Sequence, residues 1–134
     1  MLALVVEGLY IIGERSQAGR LYPLVREFIA TGTVTLWSLA RFTQTLAGIA
    51  AASARQYENA EEHFRIARQQ AESFPDQLEQ AEIRRFHAMM LIERAARGDS
   101  GKAQTLLREA LETYTHIGMP RHVEMSQILL ARCR

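Results

Sequence analysis

Residues 98–103 come closest to a motif with chemistry of its own. The stretch Gly98-Asp99-Ser100-Gly101-Lys102-Ala103 contains glycines, a serine and a lysine, which are the residue types of a phosphate-binding loop. That loop needs four residues between its glycines, a Ser or Thr directly after the lysine, and a preceding strand. Here two residues separate the glycines, Ala103 follows the lysine, and a helix is predicted before them. We therefore interpret this stretch as a turn that caps the next helix.

Histidine and cysteine side chains are the next candidates, because they bind metals. The chain has four histidines, His63, His87, His116 and His122. No two of them have the i, i+4 spacing of a helical metal site, and the single cysteine, Cys133, is distant in sequence. We predict surface or half-buried histidines, no metal and no cofactor.

The carboxylates could act in acid–base catalysis only as a buried or pocket-bound pair. They occur in two groups, Glu58, Glu61 and Glu62, and Glu79 and Glu82. The predicted helix faces that carry them also carry arginine or glutamine, so we interpret them as solvated. Since no Ser/His/Asp or Cys/His grouping is recognisable either, we predict that the chain is not an enzyme.

Composition is that of one ordinary globular domain over residues 1–134. The formal net charge is +1, and acidic and basic residues are interleaved, which argues against a nucleic-acid or membrane-surface partner. A lone cysteine suggests a reducing compartment, and no apolar run is long enough to span a membrane. We therefore expect a cytoplasmic location.

Apolar residues at steps of three and four predict helices throughout the chain. From Tyr57 to Phe74, for example, six apolar side chains fall on one helical face. Glycines and prolines divide the pattern, and Pro23 should kink or restart the second helix. We predict about seven helices, at residues 2–12, 16–31, 34–54, 57–73, 75–97, 100–117 and 120–133.

An internal repeat runs through these helices. The small residues Ala18, Ala60 and Ala103 are separated by 42 and 43 residues. A large residue follows each alanine four positions later, and another aligned residue follows three positions after that. A turn position precedes each alanine by five residues. These sets are Tyr22, Phe64 and Leu107; Val25, Ala67 and Ala110; and Gly13, Arg55 and Gly98. Helical pairs of this kind bury their faces by stacking on each other.

This pattern resembles the tetratricopeptide family, most closely in Gly48, Tyr57, Ala60, Phe64 and Ala67. The resemblance implies an all-α, right-handed superhelix of antiparallel helix pairs. The second helices would lie near residues 16–31, 57–73 and 100–117, with a closing helix at 120–133. The last 90 or so residues also resemble the C-terminal repeat region of large bacterial ATPase- and cyclase-associated signalling regulators and related transcriptional activators.

The family resemblance implies a module that binds a protein or peptide in a concave groove. By analogy, the residues that line this groove are Arg41, Thr45, Arg85 and Met89. Met89-Met90 is interpreted first as ordinary core packing, with a groove that accepts varied partners as the alternative. Trp37 is predicted to anchor one repeat against the next.

Two further expectations concern the whole chain. The alternative function is that of a regulatory C-terminal fragment of a multidomain bacterial signalling ATPase, cyclase or transcriptional regulator, because the chain opens mid-pattern, as part of a longer array would. The first helix is apolar almost all round, so we expect it to find a partner, either preceding repeats or a second copy of the chain.

Overall fold

The computed structural model describes residues 1–36 and 41–133, and most of these residues are helical. Contacts between residues cluster into two compact units, Met1–Gln70 (unit 1) and Ala71–Arg134 (unit 2). The helices are α1 (Leu2–Ile11), α2 (Arg15–Arg20), α3 (Tyr22–Ala30), α4 (Thr43–Ser53), α5 (Tyr57–Ser73), α6 (Gln77–Arg94), α7 (Asp99–His116) and α8 (Pro120–Arg132). The predicted all-α class is confirmed; the single domain over 1–134 and the superhelix stay predictions.

The helix seams lie close to the predicted glycines and prolines. The second predicted helix is divided into α2 and α3 at Leu21, so the restart expected at Pro23 is confirmed, and counting the two as one gives the seven helices predicted. The three aligned turn positions, Gly13, Arg55 and Gly98, all have a left-handed backbone, with φ of 88°, 58° and 89°. This conformation is easy for glycine and costs another residue about 1–2 kcal/mol. Arg55 is therefore the exception among the three.

The helix predicted over 34–54 is wrong at residues 34–36 and 41–42, and α4 begins at Thr43; residues 37–40 lie outside the described part of the chain. Two short strands precede it, β1 (Thr35–Leu36) and β2 (Arg41–Phe42), which pair antiparallel over two residues each. The β-branched run Thr33, Val34 and Thr35 favours this extended backbone over a helix. Trp37, the predicted anchor, lies outside the described residues.

The core of unit 1 is built around α4, which is buried along its whole length except at Gln44. A Cβ added to Gly48 would lie 2.8 Å from the Phe64 ring, so the absent side chain makes room for that ring. A Cβ added to Gly19 in α2 would likewise lie 2.8 Å from the backbone nitrogen of Ala54. Two glycines thus let α5 and α2 approach α4 closely.

The core of unit 2 joins α6, α7 and α8. Ala81, Ala110 and Tyr114 are buried together, and the half-buried side chains of Ile117, Met119 and Val123 pack against them. At the α6–α7 turn, Arg94 donates to both carboxylate oxygens of Asp99, at 2.8 and 2.7 Å. This hydrogen bonding holds the pKa of Asp99 below its usual value. Residues 98–103 therefore form a turn, held by the Arg94–Asp99 ion pair, and the start of α7, with Gly98 as its N-cap.

The residues aligned in the sequence repeat share one environment. All nine members of the three helical sets are buried: Ala18, Ala60, Ala103, Tyr22, Phe64, Leu107, Val25, Ala67 and Ala110. Equivalent burial at equivalent positions is what a stack of similar helical pairs requires. The repeat itself stays a prediction.

Candidate functional site

Helix α1 buries a charged residue and exposes large aliphatic ones, the reverse of the usual arrangement. Its inward face carries Ala3, Val6, Glu7 and Tyr10, all buried. Its outward face consists of Leu4, Gly8, Ile11 and the C-cap residue Ile12, at the i, i+4, i+7, i+8 spacing of one helical stripe, together with the neighbouring Val5. In chain order, the four aliphatic members of the outward face are 54%, 45%, 56% and 71% exposed. A carboxylate therefore points into unit 1 while large aliphatic side chains point to solvent.

A buried ion pair holds Glu7 in that inward position. Arg41 in β2 donates from Nε to one carboxylate oxygen of Glu7 and from Nη2 to the other, the second at 3.2 Å. Both side chains are almost completely excluded from solvent. Because removing one partner of a buried pair leaves an uncompensated charge, at a cost of about 3–5 kcal/mol, this pair fixes the rotation of α1 about its own axis.

The residues predicted to line a groove lie mostly in the interior. Arg41 and Thr45 are buried in unit 1, and Arg85 is buried in unit 2, where Met89 is half-buried. Arg41 is engaged by Glu7, and Arg85 by the polar cluster described next, because a buried guanidinium requires such partners. Their predicted contact with a partner stays a prediction, and for Arg41, Thr45 and Arg85 it requires side chains that this structure buries.

A buried polar cluster joins the three helices of unit 2. Arg85 donates to both oxygens of Glu82, at 3.0 and 2.8 Å, and the hydroxyl of Tyr114 donates to the same carboxylate. The Nε2 atom of His122 lies 3.8 Å from Glu82, and the rings of Tyr114 and His122 are 5.0 Å apart. Burial, and then the Glu82 charge, raises the pKa of Tyr114 far above its ordinary value. This phenol is therefore a permanent hydrogen-bond donor.

Three sequence expectations about polar residues of α6 are wrong. Glu79 and Glu82 are 2% and 4% exposed, not solvated, and His87 is 4% exposed, not on or near the surface. Helix α6 is buried over most of its circumference, so these three polar positions are interior ones. The i, i+3 spacing of Glu82 and Arg85 was the available sequence signal for their pairing, since such residues are neighbours on a helix.

A second polar group, in unit 1, joins α3, α4 and α5. The two ring nitrogens of His63 lie 2.8 Å from the hydroxyl of Tyr22 and 2.7 Å from the amide oxygen of Gln44. Burial, and then the nearby charge of Arg26, lowers the pKa of His63. Burial raises the pKa of Tyr22. Both groups are therefore held in their neutral forms at neutral pH.

The described residues contain neither of two features that would point to another class of site. Within them, no three histidine, cysteine, aspartate or glutamate side chains gather in a way that would hold a metal ion. None of the described helices combines the length and the apolar character needed to cross a membrane.

Comparison with known proteins identifies no relative of this chain. No protein-family model matches the chain, and no curated protein or solved structure matches it. The outward face of α1 is therefore the candidate site on the strength of this chain's own geometry.

Proposed function

We propose that this chain is a protein-interaction module of the tetratricopeptide type, which binds a partner through the outward face of α1. The observation that supports the proposal is the orientation of α1, which buries Glu7 and exposes the aliphatic side chains of Leu4, Val5, Ile11 and Ile12. Contiguous exposed aliphatic patches on soluble proteins mark interaction sites. Fully covering one such side chain contributes about 1.5–3 kcal/mol, so several together supply a substantial driving force.

The ion pair between Glu7 and Arg41 holds the aliphatic face of α1 towards solvent. A rotation of α1 that buried its aliphatic side chains would pull Glu7 away from Arg41 and leave both charges unpaired. At the centre of the outward face, a Cβ on Gly8 would meet nothing within 4 Å. The partner we propose therefore presents an apolar helix, which can approach closely at Gly8.

The shared burial of the nine aligned residues and the left-handed turns at Gly13, Arg55 and Gly98 support the tetratricopeptide part of the proposal. In that family type, helical pairs stack on further helical pairs. A second copy of this chain and a neighbouring helical repeat are both partners of the required chemistry. The proposed role is in binding, without catalysis.

Paired serine substitutions test the proposal. We expect Leu4→Ser with Ile11→Ser to abolish self-association in sedimentation velocity, or capture of a partner where the chain alone is monomeric. The matched control is Leu78→Ser with Ile128→Ser, which changes the same residue types at exposures of 41% and 58% in unit 2. We expect the control to behave as the wild type. Equal association by both variants would contradict the proposal.

A further inference from the structure

We propose that unit 1 also contains an anion-binding site, at α2 and the turn between α4 and α5, that takes a compact polyanion carrying phosphate or carboxylate groups. A pocket of about 520 Å³ opens there, which is within the usual size range of small-ligand sites. Its lining is Arg15, Ser16, Gly19, Arg20, Ser53, Ala54 and Arg55.

The charge of this pocket is unbalanced. Its lining contains three arginines and no acidic residue, and guanidinium groups remain protonated at any physiological pH. Among the described residues, Arg20 and Arg55 have neither an ion pair nor a side-chain hydrogen bond, although both are exposed and free to form one. The nearest acids in sequence, Glu14 and Glu58, are not part of the lining. An anionic ligand would supply the missing charge.

Close contacts define the frame around the arginines. The guanidinium of Arg15 lies 3.4 Å from the centroid of the Tyr10 ring, a cation–π contact that orients it. Because Gly19 has no side chain, α2 approaches the backbone of Ala54 at the α4 terminus closely. Arg55 stands in the left-handed conformation that Gly13 and Gly98 adopt at the two equivalent turns. An arginine at a position that favours glycine is strained, and such strain is concentrated at functional sites.

The lining also indicates the class of ligand. Besides the arginines it offers only small residues, Ser16, Gly19, Ser53 and Ala54, and no aromatic surface on which a nucleotide base could stack. The planar forks of arginine match the paired oxygens of phosphates and carboxylates. The two forks of Arg20 and Arg55 suit an anion with two or three charged groups. A diphosphate and a small tricarboxylate share this chemistry.

Calorimetric titration with two anions tests the site and distinguishes the two sources. Sodium pyrophosphate and sodium citrate are titrated separately into the wild type at low ionic strength, where charge interactions are least screened. We expect saturable binding of at least one anion, and the tighter of the two identifies the phosphate or the carboxylate class. We expect Arg20→Ala with Arg55→Ala to weaken it roughly 100-fold, because each charge-assisted contact contributes about tenfold or more.

A control variant and a second pocket variant exclude general effects of charge and folding. The control, Arg97→Ala with Arg121→Ala, removes two exposed arginines of unit 2 and should leave the affinity within about twofold, the change expected of surface residues that do not contact the anion. Arg55→Gly should weaken binding about tenfold while raising the melting temperature, since glycine relieves the left-handed strain. Absence of saturable binding by the wild type, or equal weakening in the pocket and control variants, would overturn the proposal.

Discussion

The hydrogen bonds of His63 fix which of its ring nitrogens carries the proton. The amide oxygen of Gln44 can only accept, so Nδ1 of His63 donates to it, and Nε2 then accepts from the hydroxyl of Tyr22. Protonation of Nε2 would end its acceptance from that hydroxyl, which would have to turn and accept instead, and would place a charge in a half-buried position. The neutral ring is thus part of the packing of α3, α4 and α5, and acid should disturb it.

We predict that His63 makes the protein less stable as the pH falls below about 6.5, the ordinary pKa of histidine in an unfolded chain. Because burial lowers the folded-state pKa of His63, the unfolded chain binds this proton first, and stability therefore rises with pH in this window. The slope from one such group is at most about 1.4 kcal/mol per pH unit.

Urea unfolding between pH 5 and 8 measures this dependence, a range that brackets the ordinary histidine pKa of about 6.5. His63→Gln should flatten the curve, while His116→Gln, at an exposed histidine of α7, should retain the wild-type slope. A His63→Gln curve that runs parallel to the wild type would show that the neutral ring is not required.

At the residue scale, the sequence predicted which apolar residues are buried better than it predicted which charged residues are buried. The alanines and large apolar residues of the repeat are buried as their spacing implies. The position of Arg41 could not be predicted, because its partner Glu7 is 34 residues away and the pairing depends on how α1 packs. Glu82 and Arg85 are local neighbours, but nothing in the local sequence shows that α6 buries both of them.

At the scale of the elements, Gly48 and Gly101 provide a matched test of helix packing. Both glycines are in helices, but a Cβ on Gly48 would lie 2.8 Å from the Phe64 ring, whereas one on Gly101 would meet nothing within 4 Å. We predict that Gly48→Ala destabilises the protein by about 1 kcal/mol, because an overpacking cost of about 1–3 kcal/mol exceeds the gain in helix propensity. Gly101→Ala should be stabilising by up to about 1 kcal/mol.

Chemical denaturation of the two alanine variants compares their free energies of unfolding. Combining Gly48→Ala with Phe64→Leu should remove most of the packing cost, since the smaller side chain leaves room for the added methyl group. Gains of similar size from both glycine substitutions would show that the ring of Phe64 moves aside freely.

The helix bounds were predictable where turn residues are explicit. The predicted bounds of α5 match the structure, those of α7 differ by one residue at each end, and those of α8 differ by one residue at the C-terminal end. The start of α4 was missed because the choice between a strand pair and a helix depends on contacts beyond the local sequence. The outward face of α1 was predictable only as an apolar helix; that its aliphatic side is the exposed one follows from Glu7 and Arg41.

At the scale of the whole molecule, the two units predict where a core substitution will be felt. Phe64→Ala should lower the stability of unit 1 by about 3–5 kcal/mol, the usual range for a buried aromatic residue. Hydrogen exchange followed by mass spectrometry should show faster exchange in α4, with α7 changed much less. Leu107→Ala, a matched truncation in unit 2, should give the reverse pattern. Equal acceleration of both helices in either variant would show a single cooperative unit.

The buried ion pairs have a consequence for how the protein responds to heat. Charged groups are hydrated less favourably as temperature rises, so the desolvation cost of an interior pair decreases on warming. Glu7 with Arg41 and Glu82 with Arg85 place one such pair in each unit. Their net contribution therefore becomes more favourable towards the melting temperature, while stabilisation by the aliphatic core levels off. Each unit thus contains an ion pair whose contribution to the free energy of unfolding, relative to that of the aliphatic core, is greatest at high temperature.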